Sequence, residues 1–321
     1  MIALTIPTKN RPERLRQALG YYADAGFTGG IFVVDSSDDS EVRKLCQRYK
    51  DRLLIHYAYA EATPICHATQ VGTQMAADSG FKYALNAGDD DFAVVPGVMA
   101  CVDFLESNPE YGGALGGAFH FTAVERSNRA QVRCLSYNNQ DVDDPVMRVR
   151  AYLASPPTLQ LGVYRVERLV EAYEGLPYES NLDTFLGFEM PANAYIAARS
   201  RAKHLPVLQF FFRTHPEGTG TPLGWANVKS PLFSQHLQRA RNHICKALEL
   251  EGCLTEEAKT SVDHALMMRV HEGIAASVAG THGIPYELND TVLFYDVTLI
   301  NPDHRFAGDA QMVFDHIGRN E

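Results

Sequence analysis

The chain has 321 residues, enough for one large domain or a domain with a substantial extension, and enough to bury a sizeable core. With 45% hydrophobic and 21% charged residues it is an ordinary globular composition, which excludes wholesale disorder. A net charge of −10, from 29 basic and 39 acidic residues, argues against a general nucleic-acid binder, because neutralising phosphates requires basic surface.

The first 120 residues alternate short apolar runs with amphipathic segments. Residues 2–6 are predicted as a strand, followed by the loop Pro7-Thr8-Lys9-Asn10-Arg11-Pro12 and a helix over 13–25, with Leu15, Ala18, Leu19 and Tyr22 on one face. A second strand is expected at 31–34, ending in Asp35-Ser36-Ser37-Asp38-Asp39, then a helix at 41–52 and a third strand at 54–59. A helix at 65–79, a fourth strand at 81–86 and a helix at 98–107 complete the series. The β-α-β-α order implies a mainly parallel sheet with helices on both faces, and in such sheets ligands bind beyond the carboxyl ends of the strands.

The middle of the chain is less regular. Strands are expected over 114–125, mixed structure over 148–165, and helix over most of 183–201 despite Pro191. A strand at 207–212 leads into Arg213-Thr214-His215-Pro216, and the Gly/Thr/Pro-rich segment 218–224 reads as a mobile loop and a hypothetical lid. Helical spacing over 235–252 and 255–279 places a soft boundary near Gly224, giving an α/β domain at 1–224 and a mainly helical extension at 225–321. Those helices suit a homodimer interface or packing on the α/β domain better than a membrane surface, given their mixed charge.

The six cysteines (46, 66, 101, 134, 245 and 253) are scattered without a CxxC pair, so a zinc site is not expected and reduced thiols are. No run reaches the roughly 18 apolar residues of a membrane span. The chain opens directly into IALTIPTKN, and the expectation is a cytoplasmic protein without a leader.

The sharpest local feature is Gly88-Asp89-Asp90-Asp91-Phe92, where an apolar strand delivers three carboxylates into a turn. Crowded carboxylates repel unless they are solvated or hold a cation. Hard divalent cations take oxygen ligands, and Mg²⁺ commonly binds one or two carboxylates plus substrate phosphates. In extended backbone Asp89 and Asp91 point the same way and share one task, with Asp90 turned aside. The bland alternative is a solvated acidic loop. Asp35 ends the second strand and is a ligand candidate, whereas one of Ser37, Asp38, Asp39 and Ser40 serves as a helix cap. Thr8 and Asn10 offer hydrogen bonds, and Arg11 offers a planar charged fork suited to phosphate.

Taken together, Thr5-Ile6-Pro7-Thr8-Lys9-Asn10-Arg11, Val33-Val34-Asp35-Ser36-Ser37 and Gly88-Asp89-Asp90-Asp91-Phe92 resemble glycosyltransferase family 2 and its relatives with the GT-A fold. The resemblance covers about residues 1–125 and, more loosely, 180–220. It implies that Pro7, Thr8, Asn10 and Arg11 line a nucleotide pocket and that Asp35 contacts the base, often uracil. Asp89 and Asp91 match a DxD motif that holds Mg²⁺ or Mn²⁺ against the donor diphosphate, and Asp89 and Asp90 are also counted with the donor-binding residues. A late histidine, matched here by His215, reaches the metal or diphosphate in some relatives, and Arg213 is an alternative diphosphate contact. Inverting members place an acidic base before a helix, which points to Glu189 in Gly187-Phe188-Glu189-Met190-Pro191, with Asp183 as fallback. This chain has Glu-Met where the family commonly has Glu-Asp.

The expectation is therefore a GT-A-like α/β protein that moves a sugar from a nucleotide-sugar, UDP-linked by the resemblance, to an acceptor hydroxyl with inversion. The acceptor class, whether glycan, lipid-linked or protein, is left open. A nucleotidyltransferase of similar fold lacks support because TKNRPER has none of the glycines of a triphosphate loop. A dinucleotide-dependent oxidoreductase lacks its G-x-G-x-x-G after the first strand. A non-catalytic sugar- or nucleotide-binding protein is the remaining alternative.

Overall fold

The computed structural model describes residues 1–123, 130–135, 140–154, 159–176, 185–214, 233–278, 294–296, 299–300 and 305–317. Asp183, His215 and the 218–224 segment lie outside the described residues. Among the described residues nine strands form the main sheet: β1 (Ile2–Thr8), β2 (Gly30–Asp35), β3 (Leu54–Tyr59), β4 (Tyr83–Asn86), β5 (Phe92–Ala93), β6 (Gly113–Ala123), β7 (Ala130–Leu135), β8 (Val163–Arg165) and β9 (Ala202–Thr214). Their order is β3-β2-β1-β4-β8-β6-β9-β5, with β7 paired to β6. Strands β1, β2, β3, β4, β6 and β9 point one way, and β5, β7 and β8 run against them. A small hairpin, β10 (Phe294–Asp296) with β11 (Leu299–Ile300), stands apart from this sheet.

Strands β1 and β2 read as nearly continuous apolar runs because the sheet there is covered on both faces. Side chains alternate along each strand and feed two separate cores. Ile2, Leu4, Ile6, Ile31 and Val33 enter the first, and Ala3, Phe32 and Ala84 the second. Helices α1 (Pro12–Asp24), α2 (Glu41–Tyr49) and α4 (Val95–Ser107) close the first core. The second is closed by α3 (Ile65–Asp78), α5 (Pro145–Ala154), α6 (Val166–Tyr173), α7 (Met190–Arg199), α8 (Phe233–Leu250) and α9 (Glu256–Val278). The last helix, α10 (Ala307–Ile317), returns to the first core through Ala310 and Val313. The late helices thus pack on the sheet: Ile244, Ala247 and Leu248 of α8 share the second core with Ala194 and Ile196 of α7.

Pro191 does not interrupt α7 because it sits in the helix's first turn, where its missing N–H has no intrahelical partner to lose. A π-helical turn, Phe185–Glu189, leads into it. Among the described residues no helix is long and apolar enough to cross a membrane. Cys46, Cys66, Cys101, Cys245 and Cys253 are free thiols.

Candidate functional site

Parallel pairing brings the ends of β1, β2 and β4 to one edge of the sheet. Thr8 is in register with Asp35, and Thr5 with Asn86. Beyond Asn86 the chain makes a β-turn, with the Asp91 N–H donating to the Gly88 carbonyl at 3.3 Å. A Cβ on Gly88 would lie 2.8 Å from a carboxylate oxygen of Asp90 and 2.9 Å from one of Asp91, so a side chain there would push the two carboxylates aside. This turn replaces the extended backbone on which Asp89 and Asp91 would have faced together. Asp89 and Asp90 instead converge on Arg11, whose Nη1 donates to Asp89 Oδ1 at 3.2 Å and to Asp90 Oδ2 at 3.3 Å.

Asp91 turns toward β9. The β5–β9 pairing sets Phe92 opposite Phe211, which lays Asp91 beside the end of β9. Its Oδ1 accepts from the Arg213 N–H at 3.0 Å and its Oδ2 from the Gly88 N–H at 3.3 Å. Burial, and then the charge of Asp90, pushes the Asp91 carboxyl well above the ordinary carboxylate range. Asp89 is buried, and its Oδ2 accepts from the Thr8 hydroxyl at 2.7 Å. Burial first and Asp90 second raise its pKa to about 6, against the opposing help of Thr8 and Arg11.

The loops after β1 and β2 are stitched together by Asn10. Its backbone is left-handed (φ 56°), a conformation asparagine tolerates. The Asn10 N–H donates to Ser37 Oγ at 2.8 Å, its Nδ2 donates to Asp38 Oδ2 at 2.7 Å, and the Asp38 N–H donates back to Asn10 Oδ1 at 2.9 Å. Asn10 therefore shapes the two loops. Pro7 is buried inside β1, opposite Val34.

Asp35 is fully buried at the end of β2. One of its oxygens accepts from the Ser37 N–H and the other from the Tyr57 hydroxyl, each at 2.8 Å. Burial and this bond to a carboxylate push the Tyr57 phenol up. The helix-starting contact belongs to Asp39, whose Oδ1 accepts from the Glu41 N–H at 2.9 Å. The Arg213 side chain reaches Gln17 of α1, with Nη1 donating to Gln17 Oε1 at 2.9 Å.

Glu189 closes the π-helical turn before α7 and is half-buried. Desolvation raises its carboxyl above the ordinary glutamate range, and its charge acts on Cys66, Tyr152 and Tyr173 around it. Tyr173 stacks on Phe188 at 5.1 Å and contacts Asn86 Nδ2 through its hydroxyl. Asn86 also contacts the Thr5 hydroxyl. Sequence reasoning missed Asn86, Tyr57, Tyr173 and Gln17. Asn86 alone had a signal, an amide closing the otherwise apolar run YAL.

The donor set suits a hard divalent cation. Asp89 and Asp90 are both oxygen donors, and burial together with the charge of Asp90 makes the ionised Asp89 carboxylate costly, a cost that Thr8 and Arg11 only partly offset. Two carboxylates are too few to enclose the ion, and among the described residues no three His, Cys, Asp or Glu side chains gather as a metal-binding group. Such a site suits an ion whose remaining ligands come from a bound phosphate.

The sheet order and the two helical layers are those of a GT-A-like fold. Residues 1–349 of S. aureus TarS share it with a TM-score of 0.50 at 11% identity, covering 87% of this chain and 91% of that one, and the same fragment in complex with UDP gives the same values. A second S. aureus TarS structure gives 0.49 at 12% identity, covering 86% of this chain and 55% of that one. The mannosyltransferase PcManGT from Pyrobaculum calidifontis, in complex with GDP-Man and Mn²⁺, gives 0.45 at 16% identity over 89% of this chain and 76% of that one. No family model matches the chain, and no curated protein matches it.

Proposed function

We propose that the protein is a metal-dependent glycosyltransferase that moves a sugar from a nucleotide-sugar to an acceptor hydroxyl with inversion. The observation that carries this reading is the edge cluster of Thr8, Arg11, Asp89 and Asp90 at the carboxyl ends of β1 and β4, in a GT-A-like sheet. In open α/β sheets that edge is where ligands bind.

In this reading Asp89, with Asp90 or Asp91, holds Mg²⁺ or Mn²⁺, and His215 is a further candidate ligand. When bound, the cation would offset the charge that develops on the departing diphosphate. Arg11 and Thr8 flank the phosphates, and Asp35 and Tyr57 border the base. Glu189 takes the acceptor proton, a role its raised carboxyl supports, because a base with a pKa nearer neutrality is the better proton acceptor. A uridine donor is the first to test.

A thermal-shift series with UDP, GDP, dTDP and CMP, each with and without Mn²⁺, tests the reading. A ligand that binds only the folded state raises its stability by mass action. One diphosphate, UDP first, is expected to raise the melting temperature only when Mn²⁺ is present. No response to any nucleotide under either condition removes the donor-binding reading.

A further inference from the structure

We infer that Arg11 is a built-in counter-ion standing where a divalent cation would bind, so that this site takes the cation together with the donor diphosphate and not before it. The inference rests on the donor-binding reading above and deepens it by naming the form in which the donor is taken.

The geometry is specific. A single nitrogen, Arg11 Nη1, lies 3.2 Å from Asp89 Oδ1 and 3.3 Å from Asp90 Oδ2, a positive group between two carboxylates. Asp89 does not depend on Arg11 for its orientation, because Thr8 Oγ1 holds its other oxygen at 2.7 Å. The Arg11 backbone is anchored as the residue that opens α1, its carbonyl accepting from the Leu15 N–H at 3.2 Å. Its side chain is 26% exposed.

Both ion-pair contacts are longer than the roughly 2.7–2.9 Å of a strong charge-assisted bond, and both fall on the same nitrogen. A diphosphate offers the guanidinium fork a two-point contact instead. A divalent cation and Arg11 cannot share the same two oxygens without like-charge repulsion. A bare cation must therefore compete with Arg11 for these oxygens, whereas an arriving diphosphate gives Arg11 a new anionic partner and the cation extra ligands. Cation and diphosphate then favour each other's binding by the same factor.

Mn²⁺ is titrated alone into the wild type, Arg11→Ala and Arg11→Lys, followed by calorimetry and by the Mn²⁺ electron spin resonance signal, and the titrations are repeated at saturating UDP. Arg11→Ala is expected to bind Mn²⁺ alone about tenfold more tightly than the wild type, since one nearby positive charge is gone. Arg11→Lys keeps the charge and is expected to stay near the wild type. UDP is expected to tighten Mn²⁺ binding more in the wild type than in Arg11→Ala. If Arg11→Ala binds Mn²⁺ alone no more tightly than the wild type, or Arg11→Lys behaves like Arg11→Ala, the counter-ion role is overturned while Mn²⁺–UDP coupling still upholds the donor site. If UDP and Mn²⁺ show no coupling in the wild type, the donor reading itself falls and the inference with it.

Discussion

Asp89 is a carboxylate kept where it is uncomfortable. Its pKa rises from 3.8 to about 6 through burial and the charge of Asp90. Between those values the folded protein holds more protons than the unfolded chain, so stability is full at low pH and falls as pH climbs through about 6. The shift corresponds to roughly 3 kcal/mol once Asp89 is fully ionised. Asp89→Asn cannot ionise, so in metal-free buffer it is expected to match the wild type near pH 4 and to exceed its stability by about 1–3 kcal/mol at pH 8. Urea unfolding at the two pH values measures this, and parallel curves at both would remove the idea that Asp89 is strained. Added Mn²⁺ with UDP is expected to stabilise the wild type and leave Asp89→Asn unmoved, the pattern of a site that gives up stability for function.

At the scale of elements, the contact of α4 with β9 holds the acidic turn against the far half of the sheet. A Cβ on Gly97 of α4 would fall 1.8 Å from the Leu208 carbonyl oxygen and 2.7 Å from its carbon, both backbone atoms that cannot rotate away. Gly97→Ala is expected to lose about 1–3 kcal/mol or more in chemical denaturation, because overpacking here must displace β9. Gly308→Ala, with nothing within 4 Å of the added carbon, is the control and is expected to be neutral or slightly stabilising. A wild-type midpoint for Gly97→Ala would show that the two elements are not so closely seated. The same elements show what was legible in the sequence. β1 and β2 could be read from their apolar runs because burial on both faces leaves little room for polar residues. The eight-residue α6, the two-residue β5 and the three-residue β8 carry too few residues to display a period. The insertion of antiparallel β8 between β4 and β6 is decided by pairing across the sheet, which no local pattern records. The acidic triplet itself was legible, but a β-turn decided which two carboxylates share a partner. The surroundings of Glu189 come from α3, α5 and α6 and exist only once these have packed.

Across the whole molecule, the candidate donor groups and the candidate base come from different halves of the chain but share one sheet edge. The acidic turn hangs from β4, and Glu189 stands before α7 on the second-core side. Three side chains join them: Phe188, beside Glu189, stacks on Tyr173, and the Tyr173 hydroxyl meets Asn86 at the end of β4. If that division of labour holds, Glu189→Gln separates binding from chemistry. The variant is expected to keep the wild-type response to UDP with Mn²⁺ and to lose about 10²–10⁴-fold in metal-dependent nucleotide-sugar hydrolysis, the usual contribution of a positioned general base. Because desolvation lifts the Glu189 carboxyl, the acidic limb of the wild-type rate profile is expected above the ordinary glutamate range, and that limb is expected to vanish in the variant. Tyr173→Phe, which removes the hydroxyl that accepts from the Asn86 amide, is expected to lower stability by about 1–3 kcal/mol and to slow turnover while Glu189 still titrates. A Glu189→Gln enzyme that hydrolyses donor at the wild-type rate, beside an inactive Asp183→Asn, would move the base to Asp183 and leave the Phe188–Tyr173–Asn86 link as packing alone.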